Sequence, residues 1–196
     1  FGSRHTARAR TPLHRASRPP ARGAPMGICS SSSGDSAARK GPEAAGDEPK
    51  EGWGKDLFGP ELVTKEGRRP TEEVLAGKKF VAVYFSAHWC PPCRGFTPAA
   101  AARYKEAQPE GAWEVVFVSS DRDQGAFDGY YGEQPWAALP FEDRKKKEAL
   151  SSKFGVSGIP TMVLLDGATG KKLQDNCRGD VQGAPDGKAL LKKWGQ

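Results

Sequence analysis

The feature that most constrains this 196-residue chain is a pair of cysteines two residues apart, set between an apolar run and a segment of helical composition. The apolar run covers residues 79–87, and Cys90 and Cys93 follow it almost directly. Where a buried strand leads into the start of a helix, two such thiols can form a disulfide and reopen it with little strain. The pattern therefore predicts reversible thiol–disulfide chemistry.

The two cysteines are expected to have different roles. Cys90 is predicted to lie at the first turn of the helix, where unpaired backbone N–H groups and the positive end of the helix dipole favour a thiolate. An exposed cation such as Arg94 nearby would favour it further. We therefore predict that Cys90 attacks a substrate disulfide, and that the less exposed Cys93 resolves the resulting mixed disulfide.

The residues between the cysteines, Pro91 and Pro92, are predicted to stiffen this loop. Proline fixes φ and removes an N–H donor, which is tolerated at the start of a helix. The two prolines are also expected to influence the reduction potential of the pair.

Other kinds of site and partner are disfavoured by charge and composition. The net charge of +6 comes from six arginines in the first 34 residues, and the remaining 24 basic residues balance 24 acidic ones. No basic stripe with interleaved aromatic residues follows, so we predict no nucleic-acid partner. The chain has four cysteines but one C-x-x-C pair, and His88 is the one candidate third ligand beyond the leader. A zinc site and a secreted disulfide framework are therefore disfavoured. We predict no metal and no bound cofactor other than the redox-active disulfide.

The chain divides near Trp53. Residues 1–52 are rich in Arg, Ala, Ser, Pro and Gly and are predicted to be a disordered leader, because they have little apolar surface to bury. Residues 53–196 are predicted to form one domain of the α/β class, a mixed central sheet with helices on both faces and the order β-α-β-α-α-β-β-α. The predicted elements are a strand near Leu62, a turn or helix at 71–75, strands at 80–86, 113–119, 162–165 and 171–174, and helices at 94–108, 124–132, 142–154 and 187–194.

Three separated stretches resemble the thioredoxin superfamily. They are residues 85–98 around Trp-Cys-Pro-Pro-Cys, Gly-Ile-Pro-Thr at 158–161, and Pro-Trp-Ala-Ala-Leu-Pro-Phe at 135–141. The first and third are similar to the nucleoredoxin and tryparedoxin branch, and the resemblance covers roughly residues 54–196. It implies a thioredoxin-like fold and a thiol–disulfide oxidoreductase.

The resemblance also implies a substrate face around the dithiol. Pro160 would be a cis proline facing the dithiol, and Ile159 before it would offer backbone hydrogen bonds to an extended substrate segment. Trp89 would be an exposed aromatic residue beside the nucleophile, and Trp136 part of the surrounding face, together with Pro91 and Pro92. Either tryptophan could instead be an aromatic residue of the core. His88 is interpreted as a loop residue that tunes the local field.

Two positions distinguish this chain from thioredoxin and from tryparedoxins. Thioredoxin itself has a buried acid six residues before its first cysteine, a position that is Tyr84 here. Tryparedoxins have a tryptophan and a glutamate after the second central strand, where this chain has Ser-Ser-Asp-Arg at 119–122. The chain is therefore more similar to nucleoredoxin, and the expected electron donor is glutathione, a thioredoxin-reductase-type flavoenzyme or another dithiol protein.

The leader carries a second pattern. Met26, Gly27 and Cys29 with the serines that follow match an N-myristoylation sequence with a cysteine available for acylation, so the mature protein could start at Met26 and be tethered to a membrane. Six arginines without acids also fit an organelle transit peptide. Without either signal the chain is expected to be cytoplasmic, since no apolar run has the length of a membrane span.

Two functions remain open at this point. The first is an enzyme, a monomeric protein-disulfide reductase acting on disulfide-containing proteins and on peroxidases. The second is a redox-sensing module of nucleoredoxin type that binds partner proteins with little turnover. Cys177, predicted to lie on the second hairpin strand as a free thiol, has no assigned role in either.

Overall fold

A seven-stranded sheet forms the centre of residues 51–195, the part of the chain that the computed structural model describes. The strands are β1 (Glu61–Thr64), β2 (Gly67–Pro70), β3 (Phe80–Ser86), β4 (Trp113–Ser119), β5 (Ala137–Ala138), β6 (Thr161–Asp166) and β7 (Lys172–Gln174). Their order across the sheet is β2-β1-β5-β4-β3-β6-β7. β3 pairs in parallel with β4 and antiparallel with β6, so the sheet is mixed, as predicted.

Helices cover both faces of this sheet. They are α1 (Trp53–Phe58), α2 (Thr71–Leu75), α3 (Pro91–Ala107), α4 (Gln124–Gly132), α5 (Arg144–Lys153), α6 (Arg178–Gly183) and α7 (Gly187–Trp194). One hydrophobic cluster joins the sheet to α3, α4, α6 and α7, and a second joins it to α1, α2 and α5. We call the face of the sheet with the first cluster the α3 side and the face with the second cluster the α5 side.

Successive residues of β3 separate the two sides. Phe80, Ala82 and Tyr84 belong to the cluster on the α3 side, and the alternating Val81, Val83 and Phe85 belong to the cluster on the α5 side. Because side chains alternate along a strand, a strand buried on both faces needs an apolar residue at nearly every position. This explains the continuous apolar run of residues 80–85. Because β3 lies between β4 and β6, its end is in the interior of the sheet.

The structure adds five elements to those predicted, namely α1, β2, β5, α6 and a short 3-10 helix at Gln108–Glu110. It also corrects the position of Cys177, which lies after β7 as the residue that precedes α6, and is fully buried. The prediction of a strand at this residue was wrong because β7 ends at Gln174. The Cys177 N–H instead donates to the carbonyl of Met162 at 2.7 Å.

Candidate active site

The two cysteines lie where β3 ends and α3 begins. Cys90 precedes the first helical residue and has extended backbone angles, φ −95° and ψ 107°. Its carbonyl accepts hydrogen bonds from the N–H groups of Cys93 at 3.0 Å and Arg94 at 3.1 Å. The side chain of Cys90 therefore lies at the positive end of the α3 dipole, a position that favours a negative charge on sulfur.

Cys90 and Cys93 form a disulfide, with Cα atoms 5.2 Å apart. Cys93 is fully buried, whereas Cys90 keeps 4% of its surface exposed. Access from solvent thus favours Cys90 as the sulfur that meets a substrate. The attacking role of Cys90 and the resolving role of Cys93 stay predictions.

The loop before β6 packs against the cysteines. The Ile159–Pro160 peptide bond is cis, as the resemblance implied. The carbonyl oxygen of Ile159 lies 3.8 Å from the sulfur of Cys90, and the half-buried Ile159 side chain packs against the apolar cluster that contains both cysteines. This brings residues 69 positions apart in the chain to the same edge of the sheet.

Arg178 is a residue of this site that sequence reasoning missed. Its Nη1 donates to the carbonyl of Pro160 at 2.9 Å, and its guanidinium lies 5.3 Å from the centre of the Phe96 ring. Its Nε is buried and has no partner. No local pattern in the sequence links residue 178 to the proline loop, because the contact depends on how the chain turns after β7.

Trp89 is an exposed aromatic residue beside the dithiol, with 53% of its surface accessible. Its indole N–H donates to the carbonyl of Ser120 at 3.0 Å. The loop after β4 holds the neighbouring residue as well, since the His88 N–H donates to Asp121 Oδ1 at 2.8 Å. The other carboxylate oxygen of Asp121 accepts from the Ser119 hydroxyl at 2.8 Å. The buried Asp121 is thus a second residue that the sequence did not single out, and it fixes the backbone in front of Trp89.

Of the two positions open to Trp136, the one in the substrate face was wrong, and the structure places this residue in the core. Trp136 is 2% exposed and packs edge-on against Tyr84 and Tyr104, with ring centres 6.0 and 5.6 Å away. Its indole N–H donates to Gln134. A tryptophan in a loop sequence has no periodic pattern around it that would distinguish a surface position from a core position.

Other predicted residues lie around the dithiol in different surroundings. Pro91 and Pro92 are exposed at the start of α3. The ring of His88 is exposed and lies 5.7 Å from the ring of Tyr130. Tyr84 is fully buried, and burial raises its pKa above the ordinary value, so its phenol keeps its proton at neutral pH.

Cys177 differs from the paired cysteines in its environment. Burial raises the pKa of its thiol, with a smaller contribution from Asp180, and thereby disfavours the reactive thiolate.

Some predictions concern groups that this site does not include. Met26, Gly27 and Cys29 lie outside the described residues. Within residues 51–195, no His, Cys, Asp and Glu side chains group together in a way that could hold a metal ion. No helix in the same range has the length and apolar character needed to cross a membrane.

Comparison with known proteins gives a consistent set of relatives. The family described as "Thioredoxin-like" matches residues 77–171. Tryparedoxin of Trypanosoma brucei brucei is 44% identical over 126 residues, which cover 64% of this chain and 86% of that protein. The solved structure of tryparedoxin from Trypanosoma brucei has a TM-score of 0.63 and 40% identity, and the match covers 68% of this chain and 94% of that one.

A nucleoredoxin relative is longer. Nucleoredoxin of Danio rerio is 37% identical over 140 residues, which cover 68% of this chain but 33% of that protein. The chain therefore spans about a third of the nucleoredoxin and most of the tryparedoxin that it matches.

Proposed function

The chain belongs to the thioredoxin-like family of thiol oxidoreductases, and from that premise we propose that it reduces disulfide bonds in proteins through Cys90 and Cys93. The observation that carries the proposal is the position of the Cys90 sulfur. It lies at the start of α3, bonded to Cys93 and 3.8 Å from the carbonyl oxygen of Ile159. A substrate cysteine that approaches Cys90 would therefore lie beside a backbone carbonyl of the proline loop.

The proposed reaction has two exchange steps. In the reduced protein the Cys90 thiolate attacks one sulfur of a substrate disulfide, and the other substrate sulfur leaves and takes up a proton. Cys93 then loses its proton and attacks the Cys90 sulfur, which releases the second substrate sulfur as a thiol and closes the disulfide. Two electrons pass from the dithiol to the substrate. A reductant of the dithiol class, or a flavoenzyme, then reopens the pair.

The surroundings of Cys90 support binding of an extended protein segment. The exposed Trp89 offers an aromatic surface on one side, and the loop of Ile159 and Pro160 offers backbone groups on the other. An extended segment pairs with such a loop through main-chain hydrogen bonds, which do not depend on its sequence. We therefore propose a broad range of protein disulfides as substrates, including those of peroxidases.

Insulin reduction with dithiothreitol as electron source tests the proposal. The wild-type protein should accelerate the reduction, and Cys90→Ser should reduce the rate to that of dithiothreitol alone. Cys177→Ala is the matched control, because it removes the other cysteine of the described region without touching the dithiol. Full activity in Cys90→Ser would contradict the proposal.

A redox-sensing binding module is the second candidate. It is favoured by the exposed Trp89, Pro91 and Pro92, which give the rim of the dithiol an apolar surface of the kind that partner proteins cover. The two candidates differ in what a Cys93→Ser variant does in an extract. An enzyme with this change accumulates mixed disulfides with its substrates, whereas a binding module keeps its partner even when both cysteines are replaced by serine.

A further inference from the structure

Four hydroxyl groups lie in one buried cluster next to the turn of α3 that carries Cys93. They belong to Tyr84, Ser86, Thr97 and Tyr130, none of which is more than 3% exposed. The Thr97 hydroxyl lies 2.8 Å from that of Tyr84 and 2.6 Å from that of Tyr130, and the Ser86 hydroxyl lies 3.0 Å from that of Tyr130. We call this set the hydroxyl cluster.

The direction of every hydrogen bond in the cluster follows from one fixed acceptor. Thr97 Oγ1 lies 3.0 Å from the carbonyl oxygen of Cys93, and a carbonyl oxygen accepts only, so Thr97 donates its single proton there. Tyr84 and Tyr130 must then both donate to Thr97. Since the proton of Tyr130 is used in this bond, Ser86 donates to Tyr130. The four hydroxyls thus form a branched chain of hydrogen bonds that ends, through Thr97, at the Cys93 carbonyl oxygen.

Thr97 is the residue on which this arrangement depends. Its hydroxyl accepts a hydrogen bond from each tyrosine and donates one to the carbonyl of Cys93, so it ties α3 to β3 through Tyr84 and to α4 through Tyr130. The helix has reduced support here, because Pro98 has no N–H to give to the carbonyl of Arg94, four residues earlier. The turn after the dithiol is therefore held by side-chain hydroxyls as well as by the backbone.

Among residues 51–195, the hydroxyl cluster is hydrogen-bonded to Cys93 and not to Cys90. Its bond goes to the Cys93 carbonyl, whereas the Cys90 carbonyl accepts from backbone N–H groups at the start of α3, and the Cys90 sulfur lies beside the carbonyl oxygen of Ile159. A change in the cluster should thus displace the Cys93 sulfur more than the Cys90 sulfur.

We propose that Thr97 is a positioning residue for the resolving step, which it supports by holding the backbone of Cys93 where its sulfur is in line with Cys90. This inference rests on the proposed function. In that step the Cys93 thiol loses its proton and bonds to the Cys90 sulfur, while the bond from Cys90 to the substrate breaks. The substrate sulfur leaves with the electron pair and is protonated. Thr97 donates no proton to a reacting atom in this step.

Thr97→Val tests the proposal, because valine keeps the shape of threonine and lacks the hydroxyl. Reduced protein is mixed with insulin, the reaction is quenched with acid at intervals, and mass spectrometry measures the mixed disulfide. The rate of resolution should fall on the order of tenfold, since a small displacement of a reacting group has an effect of this size or larger. The rate at which the mixed disulfide forms should change by less than about twofold. Thr97→Ser, which restores the hydroxyl, should recover the resolving rate.

Two further variants keep the test decisive if Thr97→Val fails to fold. Tyr130→Phe removes one donor to Thr97 and should slow resolution by less than Thr97→Val, and Ser86→Ala, at the far end of the chain of donors, should slow it least. Thr64→Val is the matched control, because Thr64 also donates to a backbone carbonyl, that of Gly67 at 2.8 Å, but in the β1–β2 turn. It should leave both rates unchanged.

The outcomes separate this inference from the proposed function. An unchanged resolving rate in folded Thr97→Val or Tyr130→Phe overturns it, and so does an equal loss in both steps, which would indicate a merely structural role. If Cys93→Ser, which cannot resolve, forms no mixed disulfide with insulin, the proposed function fails and this inference fails with it.

Discussion

The two sides of the sheet are packed with different chemistry. The α5 side is filled mainly by aliphatic residues and phenylalanine, such as Leu62, Val83, Phe58 and Leu150, whose side chains contain no polar group to satisfy. The α3 side is rich in aromatic rings that meet edge-on or stacked, and it contains the hydroxyl cluster. The α5 side has few directional contacts, such as the hydrogen bond from the Thr71 hydroxyl to the carbonyl of Gly59 at 2.6 Å, whereas on the α3 side four hydroxyls are hydrogen-bonded to one another.

This difference indicates that the two sides of the sheet contribute differently to the structure. Apolar packing is tolerant of small rearrangements, whereas a buried hydroxyl needs a partner at a defined distance and angle. The helix that begins at the dithiol lies on the side with directional contacts. The α5 side therefore supplies stability, and the α3 side supplies stability together with a fixed geometry at the cysteines.

The largest expected effect is on the α5 side and concerns stability alone. Phe58→Ala removes a fully buried ring and should lower the free energy of unfolding by about 3–5 kcal/mol. Urea unfolding measures this loss, and the insulin assay, run on the folded protein in the absence of urea, should give an unchanged specific activity. A loss of activity larger than the loss of folded protein would contradict the division between the two sides.

Asp121→Asn should have the next largest effect, at the loop beside the dithiol. Asparagine has an NH2 group in place of one carboxylate oxygen and keeps one acceptor oxygen, so either the His88 N–H or the Ser119 hydroxyl loses its acceptor, at a cost of about 1–3 kcal/mol. The indole N–H resonance of Trp89 should shift, because the backbone before it is displaced. Arg122→Gln, an exposed neighbour, is the control, and an unmoved indole resonance in Asp121→Asn would show that this carboxylate does not position Trp89.

Arg178→Met should lower kcat/KM for insulin by about tenfold, which corresponds to about 1.4 kcal/mol. Methionine keeps an apolar stem against Phe96 but cannot donate to the Pro160 carbonyl, so the proline loop loses one of its contacts. Arg178→Lys keeps the charge without the planar fork and should recover only part of the activity. If the methionine variant matches the wild type in the insulin assay, Arg178 supports neither the loop nor the substrate.

The buried carboxylate of Glu114 should have the weakest effect of these, a dependence of the unfolding free energy on pH. Unlike the neutral hydroxyls of the hydroxyl cluster, this group can change its charge. Glu114 accepts from the Tyr104 hydroxyl at 2.8 Å, and burial raises its pKa above the ordinary value of 4.5, although Tyr104 and Lys78 oppose the shift. Between 4.5 and that raised pKa, the folded protein holds a proton that the unfolded chain has released. The free energy of unfolding should thus fall as the pH rises through this interval, by at most about 1.4 kcal/mol per pH unit.

Glu114→Gln removes this titration. Urea unfolding at a series of pH values should show the stability of the wild type falling relative to that of the variant as the pH rises above 4.5. Glu133→Gln, at an exposed position, provides the control. A constant difference between wild type and Glu114→Gln across the pH series would contradict the prediction.

The sequence predicted the central part of the fold because its patterns are local. The apolar runs of β3 and β4, the cysteine pair and the final helix at 187–194 were all predicted within a residue or two, since each depends on neighbouring residues. The strand β5 has two residues and carries no pattern, so it was missed. The predicted helix begins at residue 94, whereas α3 begins at Pro91, because proline is well tolerated in the first turn of a helix.

The site was predictable to the extent that its residues belong to a motif. Cys90, Cys93 and the proline loop lie in recognisable stretches, and the structure brings these stretches together. Arg178 and Asp121 were not singled out because their partners are 18 and 33 residues away in the sequence. The sequence could not decide between a core and a surface position for Trp136 for a related reason, since whether an isolated aromatic residue is buried depends on tertiary contacts.

Trp89 gives the protein an optical reporter of its own surface. The chain has five tryptophans, and the other four are at most 9% exposed, against 53% for Trp89. A small quencher such as iodide therefore reaches one indole in preference to the rest. A protein that docks over the dithiol would shield that indole, so quenching of the native fluorescence can follow association without any label.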